Sequence, residues 1–215
     1  MKRWIFGFLL CVGSLNMLAQ TPDVKTLASR VDHHYNSLHS LSVAFNESYD
    51  GMGIHRAESG KLLLRKPGSM RWDYSEPPGK LFLLDGKYAY FYTPGDAQAQ
   101  RINAKQLDDL RSPLRFLLGH TELSKELNDL KMSADEANGV YFLSGVPKGN
   151  SQRVSRLVLA VSADGTIHQM KITEADGATT NFSFSSEVPN APVANLDFVF
   201  TAPPNVTIVE GLPPV

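Results

Sequence analysis

The stretch from Gly60 to Pro94, GKLLLRKPGSMRWDYSEPPGKLFLLDGKYAYFYTP, writes one short strand after another with unusually large and aromatic apolar positions. Alternation puts Leu62, Leu64 and Lys66 on one side of a strand and Met70, Trp72 and Tyr74 on one side of the next. Leu81 to Leu84 then meets Tyr88 to Tyr92 across an Asp85-Gly86 turn. A sheet made of such strands must bury its apolar face. A helix or a second sheet could cover it, whereas a sheet curled around an apolar volume would make a ligand site.

At 215 residues, 42% apolar and 20% charged, the chain is of ordinary globular composition and long enough for one all-β domain. Its first 19 residues read as a secretory signal: Lys2 and Arg3 precede the apolar run Trp4 to Val12, and cleavage is expected after Ala19. That run is far shorter than the roughly 20 residues a spanning helix needs. Cys11 follows Leu10, which is too large for a lipidation site. Cleavage removes this sole cysteine, so neither a disulfide nor a thiolate metal site is expected. Loss of Lys2 and Arg3 leaves 19 basic against 22 acidic residues, a formal charge of −3 that argues against nucleic acid as a partner.

Behind Pro22-Asp23, the spacing of Val24, Leu27, Val31 and Tyr35 or Leu38 predicts an amphipathic helix over 23–38, a lid or a plug. Leu41, Val43 and Phe45 alternate next, and a Gly51-Met52-Gly53 turn leads to a strand returning to Arg65. Lys66-Pro67-Gly68 and Glu76-Pro77-Pro78-Gly79 end strands. Residues 106–119 carry Leu107, Leu110, Leu114, Phe116, Leu117 and Leu118 around Pro113, which predicts a short broken helix stopped by Gly119. A second helical piece is expected near Thr121 to Leu127. Strands follow at Val140 to Ser144, Leu157 to Val161, Ile167 to Thr173 and Thr179 to Ser185, with turns at Asp164-Gly165 and Asp176-Gly177. The proline-rich tail from Val188 is expected to alternate extended segments with loops. No repeat or flexible linker divides the chain, so residues 20–215 read as one domain.

Nucleophile-elbow, P-loop and HExxH patterns are missing from the sequence, and no catalytic residue is assigned. Asp32, His33, His34 and His39 are the best metal candidates, but neighbouring helical side chains diverge by about 100 degrees, and His33 and His34 are expected to be solvated. Asp108-Asp109 and the pair Glu47 and Glu58 are expected to be surface charge rather than acid/base partners. Lys66 points where Leu62 and Leu64 point, either as a tether for a carbonyl or loop at a cavity mouth or as a snorkelling stem. Arg65 takes the other face and is expected to be solvated. Met70, Trp72 and Tyr74 read as plain core or as a lipid-accepting lining. The Leu114 to Leu118 cluster, a second apolar surface on a proline-broken helix, favours the lining.

These residues resemble the periplasmic outer-membrane lipoprotein carrier family, LolA. The matching signature is the Gly60-x-Leu62 strand, the basic corner Lys66-Pro67, Trp72, Pro77, Asp85-Gly86-Lys87 and the aromatic run to Tyr92 and Pro94. Also in order are Pro113 with Leu117-Leu118, Asp164-Gly165-Thr166-Ile167-His168-Gln169, and Phe198-x-Phe200-Thr201 with Pro203-Pro204-x-Val206. The resemblance implies an incomplete antiparallel β-barrel, mainly β with covering α-helices, around a hydrophobic cavity that receives lipoprotein acyl chains. It implies an inner-membrane lipoprotein-releasing ABC transporter as donor, an outer-membrane receptor as acceptor, a monomeric carrier and no cofactor. The family's corner residue before proline is typically arginine; Lys66 keeps the charge but loses the planar fork, which weakens any latch onto several carbonyls. Met70 stands where the family often has an aromatic.

On this reading the acyl cavity and its lid are formed by Phe45, Leu62, Leu64, Lys66, Met70, Trp72, Tyr74, Leu84, Tyr90, Leu114, Phe116 and Leu117. Lipid tails are held there by the hydrophobic effect without covalent chemistry. The alternative is a lipid- or lipoprotein-sensing regulatory module on the same half-barrel; an acyl-chain enzyme comes third.

Overall fold

The computed structural model describes residues 22–108, 122–135, 137–149 and 152–211. The signal segment, Asp109 and the apolar cluster with Leu114, Phe116 and Leu117 lie outside the described residues. Asp23 caps helix α1 (Val24–Ser37), its carboxylate accepting the Thr26 N–H at 2.8 Å. Leu27, Ala28, Val31 and Tyr35 recur on one side of α1 and are buried, as the sequence spacing predicts.

Strands β1 (Ser40–Gly51) and β2 (Ile54–Arg65) pair in unbroken register from Ser40 opposite Arg65 to Gly51 opposite Ile54. Their two-residue turn needs positive φ, which Met52 and Gly53 supply at 52° and 75°. After β3 (Ser69–Glu76), β4 (Leu81–Leu84) turns into β5 (Tyr88–Tyr92) where the Asp85 carboxylate accepts the Lys87 and Tyr88 N–H groups at 2.7 Å. Next come β6 (Gln98–Asn103) and α2 (Ala104–Asp108), then α3 (Leu123–Glu126), β7 (Leu127–Asp135), β8 (Val140–Pro147) and β9 (Val154–Val161). The chain closes with β10 (Ile167–Glu174), β11 (Thr179–Pro189), a 3-10 turn (Asn195–Phe198) and β12 (Thr207–Glu210).

All the strands join one open curled sheet of order β12-β6-β5-β4-β3-β2-β1-β11-β10-β9-β8-β7. Every pairing is antiparallel except β6 with β12, which run parallel. Three strands escape the sequence reading for identifiable reasons. In β7 the alternation breaks where Asp129 takes φ 53° and the register to β8 slips between Asn128 and Lys131. In β6 the buried Ala99 and Ile102 stand three apart, and β12 is a short, mostly exposed edge strand held through its backbone.

Pairings of Leu62 with Trp72, Leu64 with Met70 and Val43 with Leu62 bring the two alternating sets of the sequence onto one inner face. That face continues across Phe45 into β11, where Phe184 stands opposite, and α1 packs into the same core. The outer face has its own cover, the C-terminal segment: Phe200 stacks on Tyr90 at 4.7 Å, and Phe198 is buried under the Arg65 guanidinium, also 4.7 Å away. Arg65 further donates to Asn195 Oδ1 at 2.5 Å, and Arg71 to the Asp197 carbonyl at 3.2 Å. The expectation of a solvated Arg65 is therefore corrected, because the returning tail offers it both a ring and an acceptor.

Gly165, at φ 96° in the β9–β10 turn, lies so close to α1 that an added Cβ would sit 2.5 Å from the Arg30 carbonyl carbon. Gly177, at φ 92° in the next turn, faces open space. Gly177→Ala should cost only backbone strain, about 1–2 kcal/mol. Gly165→Ala should lower denaturant stability clearly further, since the helix must move; equal losses would contradict this packing.

Candidate functional site

The inner face carries a run of touching rings. Phe45 meets Trp72 edge-on at 4.6 Å and Tyr74 at 5.2 Å, Trp72 meets Phe182 at 5.8 Å, and Phe182 stacks with Phe184 at 6.1 Å. Phe82 and Leu84 extend this floor on β4, opposite Trp72 and Met70. Phe45 and Trp72 are 1% and 3% exposed, so the floor is covered. Leu84 is half-buried against the same core.

At one end of the floor α1 is strapped down from every side that it meets. Lys66 Nζ donates to the Tyr35 and Asn36 carbonyls at 2.5 and 2.9 Å, placing a cation on the last helical turn where the helix dipole favours one. Lysine thus reaches two carbonyls without a guanidinium fork, and partial burial holds its pKa below the ordinary lysine value. The Asp32 carboxylate accepts the Leu123 N–H at 3.0 Å, and burial raises its pKa. Arg30 donates to the Ala163 carbonyl at 2.7 Å. Tyr35 Oη accepts the Ile167 N–H at 2.9 Å and donates to Glu187 at 3.0 Å. Glu187 also bonds His34 Nε2 at 2.6 Å, and this bond, more than any other influence, raises the His34 pKa. The expectation that His34 is solvated is corrected: β11 places a carboxylate against it. His33 is exposed.

At the other end the floor turns polar. The Tyr74 ring, beside Phe45, has Lys80 Nζ 4.4 Å over its face, and its hydroxyl lies 3.5 Å from Glu47. Lys80 holds both oxygens of Glu58 at 2.6 and 2.7 Å, while Arg56 stands 3.3 Å from Glu58 and 3.9 Å from Glu47. The Glu58 side chain is 5% exposed. Glu47 is also largely buried, and desolvation, followed by the Glu58 charge, raises its pKa. These two carboxylates are thus a paired, inward-facing cluster and not surface charge. Counting back from the Met52-Gly53 turn would have found them, because Glu47 and Glu58 are register partners. A groove of about 530 Å³ is lined by Glu47 and Glu58 together with Asn46, Ser48, Asn181 and Ser183.

Of the residues singled out from sequence, Phe45, Leu62, Leu64, Met70, Trp72, Tyr74 and Leu84 come together on the inner face, with Lys66 at its α1 end. Tyr90 does not: it is the register partner of Leu83 on the outer face, under Phe200. Both faces of β4 and β5 are apolar, so alternation alone could not choose between Phe82 with Phe91 and Leu83 with Tyr90. Sequence reasoning missed Phe182 and Phe184, whose alternation in Asn-Phe-Ser-Phe-Ser was the available signal.

Residues 36–201 match the family described as outer membrane lipoprotein carrier protein LolA. The chain is 27% identical to the outer-membrane lipoprotein carrier protein of Pectobacterium carotovorum over 210 residues, covering 97% of this chain and 98% of that one. Identity to the protein of the same name from Chromobacterium violaceum is 28% over 174 residues, covering 80% and 82%. Among solved structures, an uncharacterized conserved protein from Thermus thermophilus aligns with TM-score 0.55 at 10% identity, covering 86% of this chain and 97% of that one, which speaks to the fold alone.

Because the His34 pKa is raised in the folded protein, its tether to Glu187 contributes most below the ordinary imidazole value of about 6.5 and fades as pH rises through the folded value. NMR titration should place His34 above that ordinary value, and Glu187→Gln should pull it down. The stability gap between the two proteins should narrow from acid to alkaline pH. A His34 midpoint at or below the ordinary value would contradict the tether.

Proposed function

Because the chain belongs to the outer membrane lipoprotein carrier family, LolA, we propose that it is a periplasmic carrier holding the acyl chains of lipoproteins on its inner face. On this reading it accepts cargo from an inner-membrane lipoprotein-releasing ABC transporter and yields it at the outer membrane, where a receptor takes it over. It works as a monomer, by storage and without catalysis.

The observation that carries the reading is the unbroken aromatic floor from Phe184 to Tyr74, with a separately strapped helix at its end. From Leu41 to Glu47 the floor runs roughly 20 Å along β1, the scale of a long extended acyl chain. Each methylene moved out of water contributes about 0.8 kcal/mol, so a long chain gains on the order of 10 kcal/mol before any costs. Reversible delivery needs most of this offset. Protein side chains that already cover the floor supply the offset, because the acyl chain must displace them. Phe45, Leu62, Leu64, Met70, Trp72, Tyr74 and Leu84 are the proposed lining, Lys66 the latch on α1, and Leu114, Phe116 and Leu117 the movable cover. Tyr90 is left out, since it faces the tail.

Mass spectrometry of material extracted from the protein purified from its native periplasm should find acylated lipopeptide or lipoprotein. Replacing Leu114, Phe116 and Leu117 with serine should shorten cargo retention several-fold while the melting temperature moves little. Parallel loss of retention and thermal stability would mark those residues as plain core.

A further inference from the structure

The polar cluster at the far end of the floor is not needed for holding hydrocarbon, and burying it is costly. A carboxylate as enclosed as Glu58 needs full compensation, which Lys80 and Arg56 give it at 2.6 and 3.3 Å. Apolar residues of similar size would hold the strands at least as well. The cluster also sits in line with the floor: Tyr74 touches Phe45 on one side and Lys80 and Glu47 on the other. Floor and cluster together have the polarity pattern of an amphiphile laid along β1, tail toward α1 and head toward Glu47.

We propose that Glu47, Arg56 and Lys80 form a head-group site that selects acyl ligands with an uncharged polar head, one offering both carbonyl acceptors and an N–H or O–H donor. This rests on the acyl-carrier reading and names the cargo chemistry of that same face. Lys80 has three donors and spends two on Glu58. Arg56 is half exposed, at 50%, and keeps N–H groups beyond those facing Glu58 and Glu47. Both can donate to ester or amide carbonyls. Glu47 has a long 3.5 Å contact from Tyr74 and a 3.9 Å ion pair with Arg56, and its oxygens can accept from an amide N–H or a glyceryl hydroxyl. A free fatty-acid carboxylate can use the donors but brings a third anion against Glu47 and Glu58, whose charges the two cations already balance. An amide- or ester-linked head meets no such repulsion.

The test compares 1-monopalmitoylglycerol with palmitate, identical in tail, by displacement of a fluorescent acyl probe from the purified protein at pH 8 and below the aggregation limit of either ligand. The native protein should prefer the glyceride by about tenfold. Glu47→Gln should narrow the ratio to about twofold, chiefly by tightening palmitate. Arg56→Gln should weaken the glyceride several-fold, with a native-like far-ultraviolet circular dichroism spectrum at the assay temperature showing that each variant is folded. Equal affinities in the native protein, or a ratio untouched by Glu47→Gln, would overturn the head-group site while leaving the carrier reading in place. Failure of both ligands to displace the probe would overturn both.

Discussion

A curled sheet whose inner face is paved with Phe45, Trp72, Tyr74, Phe182 and Phe184 has to keep those rings out of water, and much of the rest of the structure answers that need. Among the described residues the twelve strands form one open sheet whose edge strands β12 and β7 do not pair, so helices supply part of the wall. α1 supplies part of it by burying Leu27, Val31 and Tyr35 in the same core. Polar contacts fix its seat as well: Lys66 and Glu187 reach it from β2's end and β11, while its own Asp32 and Arg30 hold the Leu123 N–H and the Ala163 carbonyl. Such contacts depend on geometry and contribute modestly one by one.

The two faces of the sheet divide the labour. Outside, the C-terminal segment is fastened over Leu83 and Tyr90 by Phe198, Phe200, Arg65 and Arg71, and β12 extends the β6 edge, with Arg101 paired to Glu210. This outer cover packs against Arg65 of β2, Arg71 of β3 and Tyr90 of β5. The inner face carries the aromatic floor, which ends in the polar pair of Glu58 and Lys80. Membership of the lipoprotein carrier family and this asymmetry point the same way.

Much of this was legible in the sequence because the residues concerned obey short-range rules. The Asp-Gly turns, the helix behind Asp23 and the strands from Leu62 to Tyr92 each follow from alternation, capping or turn chemistry. Lys66 was legible as an inward cation, though its partners thirty residues earlier were not. What escaped depended on long-range pairing. Tyr90 could be assigned to a face only once Phe200 was seen stacked on it, and His34 could be seen as tethered only once β11 brought up Glu187. The bulge at Asp129 hid β7 by shifting its period. Glu47 and Glu58 look like ordinary surface acids until the hairpin register sets them side by side among rings.

In the proposed carrier, acyl chains take up contact with the aromatic floor in place of the protein's own cover. Without residues 1–19 the chain contains a single tryptophan, Trp72, in the middle of that floor. Quenching of its fluorescence by a lipopeptide brominated along its acyl chain reads contact over a few ångströms. Acyl chains on the floor should give saturable quenching at the stoichiometry of binding, relieved by unbrominated lipopeptide. Tight binding that leaves Trp72 unquenched would place the acyl chains elsewhere and contradict it.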